Sequence, residues 1–242
     1  KKQRKEHTQY ITKIHVLGRT EIYLVVTEVN MPLTILDYMA LENAVITLQY
    51  SFMETYAKNE IEKKYQRDIE YSLLNGLLTG DELSKAARML KLKDTAQYCV
   101  VSFHTISSNS EDYYTKEELE EIGVIEGEIQ RLLPDEHIYR NLNQIVCIHE
   151  IKHGETQAGF REEMEKLYQT VQKQIFHRNK TTDFQIGIGS IVNGYGDLKK
   201  SFKDSKKIID YMDMLRYLYG DKNISVADFS KLGFFQIFEK IE

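Results

Sequence analysis

Tryptophan is absent from this 242-residue chain, and proline and cysteine occur only twice each. Two cysteines are too few for a disulfide scaffold. Cys99 and Cys147 each sit inside an apolar run, where a free thiol behaves as a small buried hydrophobe, and a reducing, cytoplasmic setting is expected. Long apolar runs are missing as well. None approaches the roughly 20 residues of a bilayer-spanning helix, and no signal-peptide pattern opens the chain, so no membrane partner is expected. Nor is there an excess of positive charge. With 32 basic and 37 acidic residues the net charge is −5, which gives no general electrostatic reason to hold a phosphate backbone. The sixteen tyrosines carry no information about a ligand.

What is present is ordinary for a folded protein. Hydrophobic residues make up 42% and charged residues 29% of the chain, which argues against disorder, and the length suffices for one complete domain plus accessory structure. The polar start, Lys1-Lys2-Gln3-Arg4-Lys5-Glu6, enters a strand directly, so a piece of a larger protein is expected. Tyr10 to Leu17 and Thr20 to Val29 are two β-rich runs around Gly18-Arg19, read as a hairpin. The run Ile22-Tyr23-Leu24-Val25-Val26 is nearly all apolar and asks for cover on both faces, which a lone hairpin cannot supply.

After Pro32, with Asp37 as N-cap, a helical pattern runs to about Leu78. Leu41, Val45, Leu48 and Phe52, followed by Thr55 and Asn59, fall on one stripe at alternating four and three spacing; the first four are the expected dimer interface. Ile61, Tyr65, Ile69, Leu73 and Leu77 continue at four spacing. One continuous helix and two helices broken near Asn59 both fit this pattern. Beyond Gly80-Asp81 the order reads: helix Glu82 to Leu92; strand Gln97 to Ile106; helix from Thr115 to Leu132, stopped by Pro134; strands His137 to Asn141 and Gln144 to Ile151; helix Glu162 to Phe176; strand Phe184 to Val192; helix through Leu198, Phe202, Ser205, Ile209 and Met212; and a short strand near Ile224 to Val226. This β-α-β-β-α-β order predicts an α+β, ferredoxin-like core with helices on one face of an antiparallel sheet.

Such a core with an added C-terminal helix and strand is the plan of nucleotidyl cyclases, including the bacterial GGDEF enzymes. Their metal and triphosphate chemistry needs carboxylates at the end of the first strand and in the central hairpin, because Mg²⁺ prefers hard oxygen ligands. The first strand here, Val100-Val101-Ser102-Phe103-His104-Thr105-Ile106, has no acid. Neither has the hairpin Tyr139-Arg140-Asn141-Leu142-Asn143-Gln144-Ile145-Val146, where the enzymes carry Gly-Gly-Asp-Glu-Phe. Further matching stretches are Glu62 to Ile69 leading into Leu73-Leu74-Asn75-Gly76-Leu77-Leu78, Gln185-Ile186-Gly187-Ile188-Gly189-Ser190, Ser201-Phe202-Lys203-Asp204-Ser205, and the closing Val226 to Phe235. Taken in order, from about Asp37 to Glu242, they resemble the GGDEF-like domain of bacterial transcriptional regulators of the PucR/CdaR type, related to purine catabolism regulators. Upstream, the hairpin and Pro32-Leu33-Thr34-Ile35-Leu36-Asp37 are similar to the end of a GAF-like sensor domain.

The resemblance implies a sensor-domain remnant at 1–36, a linking and dimerising helix at 37–80 and a degenerate GGDEF-like domain at 81–242. It implies a non-catalytic homodimer without metal or cofactor that transmits a small-molecule signal to a C-terminal helix-turn-helix, so that DNA is met only through that domain, which these 242 residues lack. Purine or sugar-acid breakdown as the regulated process comes from the resemblance alone. The alternative is a nucleotide- or metabolite-binding module in which Arg140, Asn141, Asn143 and Gln144 use amide and guanidinium groups in place of the catalytic hairpin. Other patterns carry less. His149-Glu150-Ile151-Lys152-His153 matches the zinc-peptidase signature, which works only on a helix, and here it follows a strand. Gly187 and Gly189 lie inside a strand rather than in a nucleotide-binding loop, and so point to close packing or a bulge. Lys199, Lys200, Lys203, Lys206 and Lys207 read as a solvated helix face.

Overall fold

A computed structural model describes residues 8–15, 22–29, 31–106, 115–141, 144–177 and 182–233. The chain divides into two compact units, Lys1–Gln66 and Arg67–Glu242, described separately below.

In the first unit, β1 (Gln9–Ile14) pairs antiparallel with β2 (Ile22–Thr27). The turn expected at Gly18-Arg19 lies outside the described residues. The pleat sorts the apolar run onto two faces: Ile14, Ile22, Leu24 and Val26 are buried or half-buried, while Ile11, Tyr23 and Val25 are exposed. Helix α1 (Ile35–Leu74) runs through Asn59 without a break. Its cap differs from the expected one. Thr34 is the N-cap, and Asp37 lies three positions inside, reaching back to accept from the Thr34 backbone N–H (2.8 Å) and Oγ1 (2.6 Å). These bonds to Thr34 hold the Asp37 carboxyl below its usual pKa.

The second unit opens with the last turns of α1. Their stop is set by Gly76, which adopts φ +65°; its N–H bonds the carbonyl of Leu73, and that of Leu77 bonds the carbonyl of Ser72. Only a residue without Cβ takes that conformation freely, so the helix ends here although the apolar spacing continues to Leu77. There follow α2 (Gly80–Met89), β3 (Gln97–Ile106), α3 (Lys116–Leu132), β4 (His137–Asn141), β5 (Gln144–Glu150), α4 (Gln157–His177), β6 (Asp183–Ile188), β7 (Val192–Asn193), α5 (Leu198–Asp210), α6 (Met212–Tyr219) and β8 (Val226–Asp228). The main sheet has the order β4-β5-β3-β6-β8; β7 pairs with the start of β3. All pairs are antiparallel except β6 with β8. This is the split ferredoxin-like arrangement with a parallel edge strand added, a nucleotidyl-cyclase-like α+β fold.

Both faces of the sheet are covered, which corrects the expectation of helices on one. Cys99, Val101 and Phe103 of β3 pack with Ile145 and Cys147 against Ile122, Ile125 and Ile129 of α3 and Met164 and Val171 of α4. The alternate residues Tyr98 and Val100, with Val146 and Ile148, meet Leu73 and Leu74 of α1, Ala87 of α2, and Leu198 and Phe202 of α5. A strand apolar at every position, as Tyr98 to Val101 is, is the mark of a sheet covered twice. Both cysteines are free and buried, and burial pushes their thiol pKa values up. Among the described residues, no helix is long and apolar enough to cross a membrane.

Two local features set where α5 sits. A Cβ on Gly187 would stand 2.3 Å from the carbonyl oxygen of Ser205, and one on Gly189 would stand 2.1 Å from that of Ser201. The glycines let the α5 backbone lie directly on the sheet. Ser201 Oγ then accepts from the Val100 N–H at 2.8 Å and donates to the Ser190 carbonyl at 2.7 Å. Lys199, Lys200, Lys203 and Lys206 are exposed on the outer side of α5, and Lys207 is half-buried.

Candidate functional site

The hairpin end of the sheet is where β3 ends and β4 turns into β5. Pleating sends neighbouring side chains to opposite faces, and this decides what the sequence candidates can do together. Arg140 turns toward α3, where its guanidinium meets Glu126 Oε2 at 3.2 Å and lies over Gly123. Gln144 sits on the other face and donates from Nε2 to Ser102 Oγ at 3.3 Å. Ser102 Oγ is in turn 2.7 Å from Ser205 Oγ, and Ser205 donates to the Phe202 carbonyl at 2.8 Å. Asn141 is exposed opposite Gln144, and Asn143 lies outside the described residues. The structure therefore does not gather Arg140 and Gln144 on one surface, and each already has a protein partner.

Across the same end, His104 faces Gln144 on one side and Gln185 on the other in the strand register. Burial lowers the His104 pKa, with Asp210 opposing and Lys206 reinforcing the shift. The Gln185 amide accepts from Arg216 of α6 when its oxygen is turned toward the guanidinium. The row Gln144, His104, Gln185 is thus polar without being acidic. Asp183, opposite Ile106, is the carboxylate at the start of β6; it accepts from Tyr168 Oη at 3.0 Å and from the Phe184 N–H at 2.8 Å. Among the described residues, no group of three or more His, Cys, Asp or Glu side chains is placed to hold a metal ion.

Sequence reasoning missed a cluster at the other end of β5. His149 is 4% exposed, with Nδ1 2.9 Å from Glu136 Oε1 and Nε2 3.0 Å from Glu155 Oε1, and its ring stacks on Phe160 at 4.2 Å between centroids. A neutral imidazole has one N–H and cannot donate to both carboxylates. Burial works against the charged ring, but the hydrogen bonds and charges of Glu136 and Glu155 outweigh it and raise the His149 pKa. The period-two pattern held the clue: Ile145, Cys147 and His149 share the α3/α4 face of β5, so an inward histidine was legible there. His153 lies beyond the strand, so the two histidines of the zinc-peptidase pattern do not share a helix face. Beside the cluster is a cavity of about 420 Å³ lined by Lys91, Tyr98, Glu136, His137, Glu150 and Lys152, among others. Arg140, Asn141 and Gln144 are not part of its lining.

A family model described as a GGDEF-like domain matches residues 75–211, more than half of the chain. The match runs from Asn75, just past the end of α1, to Tyr211, which closes α5. No curated protein matches the chain.

Proposed function

We propose that this chain, which belongs to the GGDEF-like domain family, is the non-catalytic, effector-responsive regulatory portion of a DNA-binding transcriptional regulator of the PucR/CdaR type. One observation carries the reading: at the hairpin end of the sheet, where the enzymes of this fold hold metal and triphosphate, the strand positions are occupied by Ser102, His104, Arg140, Asn141 and Gln144, hydroxyl, imidazole, guanidinium and amide groups in place of carboxylates. Mg²⁺ bound to a triphosphate asks for hard anionic oxygens, which these side chains do not supply. The fold is kept by its buried cores, whereas the reaction depends on a few positions at one end of the sheet, so one is lost without the other.

In this reading the β1–β2 hairpin and the start of α1 are the end of a GAF-like sensor, and α1 pairs with a second copy. Effector binding shifts the helical pair, and the output is read by a helix-turn-helix outside these 242 residues. The module works in the cytoplasm and needs no cofactor. The decisive experiment is turnover of GTP and ATP with Mg²⁺ and with Mn²⁺, run beside calorimetry with the same nucleotides. The expected result is no turnover and no heat of binding. Product formation would overturn the non-catalytic reading. Binding without turnover would favour the receptor alternative, in which Gln144 and its neighbours hold the ligand directly.

A further inference from the structure

Helix α1 carries a second apolar seam that the first one hides in the sequence. Leu36, Met39, Asn43, Ile46, Tyr50, Met53 and Ala57 are spaced three, four, three, four, three and four, the heptad spacing of a coiled coil, with Leu36, Asn43, Tyr50 and Ala57 at a positions and Met39, Ile46 and Met53 at d. From Met39 on, each member precedes a member of the expected stripe by two residues, from Met39 against Leu41 to Ala57 against Asn59. At about 100° per residue the two seams are about 200° apart, on opposite sides of one helix. Exposure separates them. Leu41, Val45, Leu48 and Phe52 are half-buried, while Leu36 is 77%, Met39 56%, Ile46 51%, Tyr50 71% and Met53 40% exposed.

We infer that the second seam is the surface on which two copies of this chain pair, parallel and in register. The inference deepens the dimeric part of the proposed function and rests on it. A second copy fits for three reasons. The open area is of the right size: taking about 150–250 Å² for a fully exposed large side chain, the five large residues leave on the order of 600 Å² open, and the flanking Glu42, Thr47, Glu54 and Tyr56 bring this near the roughly 800 Å² per partner of a stable interface. The seam is complementary to itself, because a heptad stripe of this kind is covered best by an identical stripe. Finally, its one polar member, Asn43, sits at an a position, where a single asparagine meets its own copy and selects a parallel pair in fixed register. The seam stops where the next positions become Glu60 and Lys64.

The test uses the 242-residue chain. Asn43→Cys is expected to form a disulfide between copies under mild oxidation at least about ten-fold faster than Val45→Cys, since a positions of a parallel pair face each other and Val45 points away. Cys99 and Cys147 are buried and do not interfere. Ile46→Glu is expected to turn the dimer into a monomer in sedimentation while the circular dichroism of the fold is unchanged; Tyr50→Glu is the second variant. A wild-type chain that is monomeric at every concentration overturns the seam and the dimeric reading together. A dimer in which Val45→Cys cross-links in preference overturns the seam alone. A dimer broken by Ile46→Glu in which Asn43→Cys fails to cross-link overturns the parallel register.

Discussion

The two ends of strand β5 differ in kind. At the hairpin end Gln144 is half-buried, neutral and joined to a relay of two serine hydroxyls. At the far end His149 is buried between Glu136 and Glu155, and an aromatic ring stacks on it. At the first end Gln144 is only partly covered, so its amide can exchange its protein partner for water at little cost, while the two serine hydroxyls behind it stay buried and paired. The fold depends on the second, where a charge removed from water is compensated by two opposite ones. One strand thus carries neutral polar groups at one tip and an acidic cluster at the other, and the second cluster ties together the loops before β4 and after β5.

The difference can be broken from the far end first. His149→Ala leaves two half-buried carboxylates without the buried ring between them and is expected to cost about 3 kcal/mol in urea unfolding, the lower end of the range for breaking a buried charge pair. Close to it in size, Gly189→Ala drives a Cβ into the Ser201 carbonyl, and about 1–3 kcal/mol is expected from overpacking, measured the same way. Smaller is the pH dependence carried by His149. Its folded-state pKa is raised, so its stabilisation is complete below the unfolded value of about 6.5 and is lost as the pH rises through the folded-state pKa. Urea midpoints of the wild type and His149→Gln are therefore expected to converge as the pH rises above about 6.5, through the raised folded-state pKa of His149. The smallest effect lies at the hairpin end. Gln144→Ala is expected to change stability by no more than about 1 kcal/mol, since its bond to Ser102 is neutral and only partly buried. A cost at Gln144 equal to that at His149 would erase the contrast.

How much of this was legible in the chain follows from what kind of information each feature uses. Strand β3 was legible because Tyr98 to Val101 is a continuous apolar run followed by Phe103 and Ile106, and α3 opened at Thr115 because Thr115 and Glu118 form a reciprocal capping box. Helix α4 begins at Gln157, earlier than its apolar stripe indicates, because Thr156 accepts the Gly159 N–H and so starts the helix in polar sequence. The strand expected to reach Val192 breaks after Ile188, and Val192 instead pairs with Tyr98. At the site, the neutral and basic character of 100–106 and 139–146 was legible as residue types. The division of Arg140 and Gln144 between two faces was not, since it depends on the register of a hairpin whose pleat no composition reveals. The Glu136–His149–Glu155 cluster joins residues from three separate segments, and only β5 carried a trace of it.

The close approach of the α5 backbone to Gly187 and Gly189 has a mechanical consequence. With the Gly187 and Gly189 backbone against the Ser205 and Ser201 carbonyls, the helix cannot roll or slide without a collision of main-chain atoms. A displacement of α5 is therefore expected to carry β6 with it, together with β8, which is hydrogen-bonded in parallel to β6.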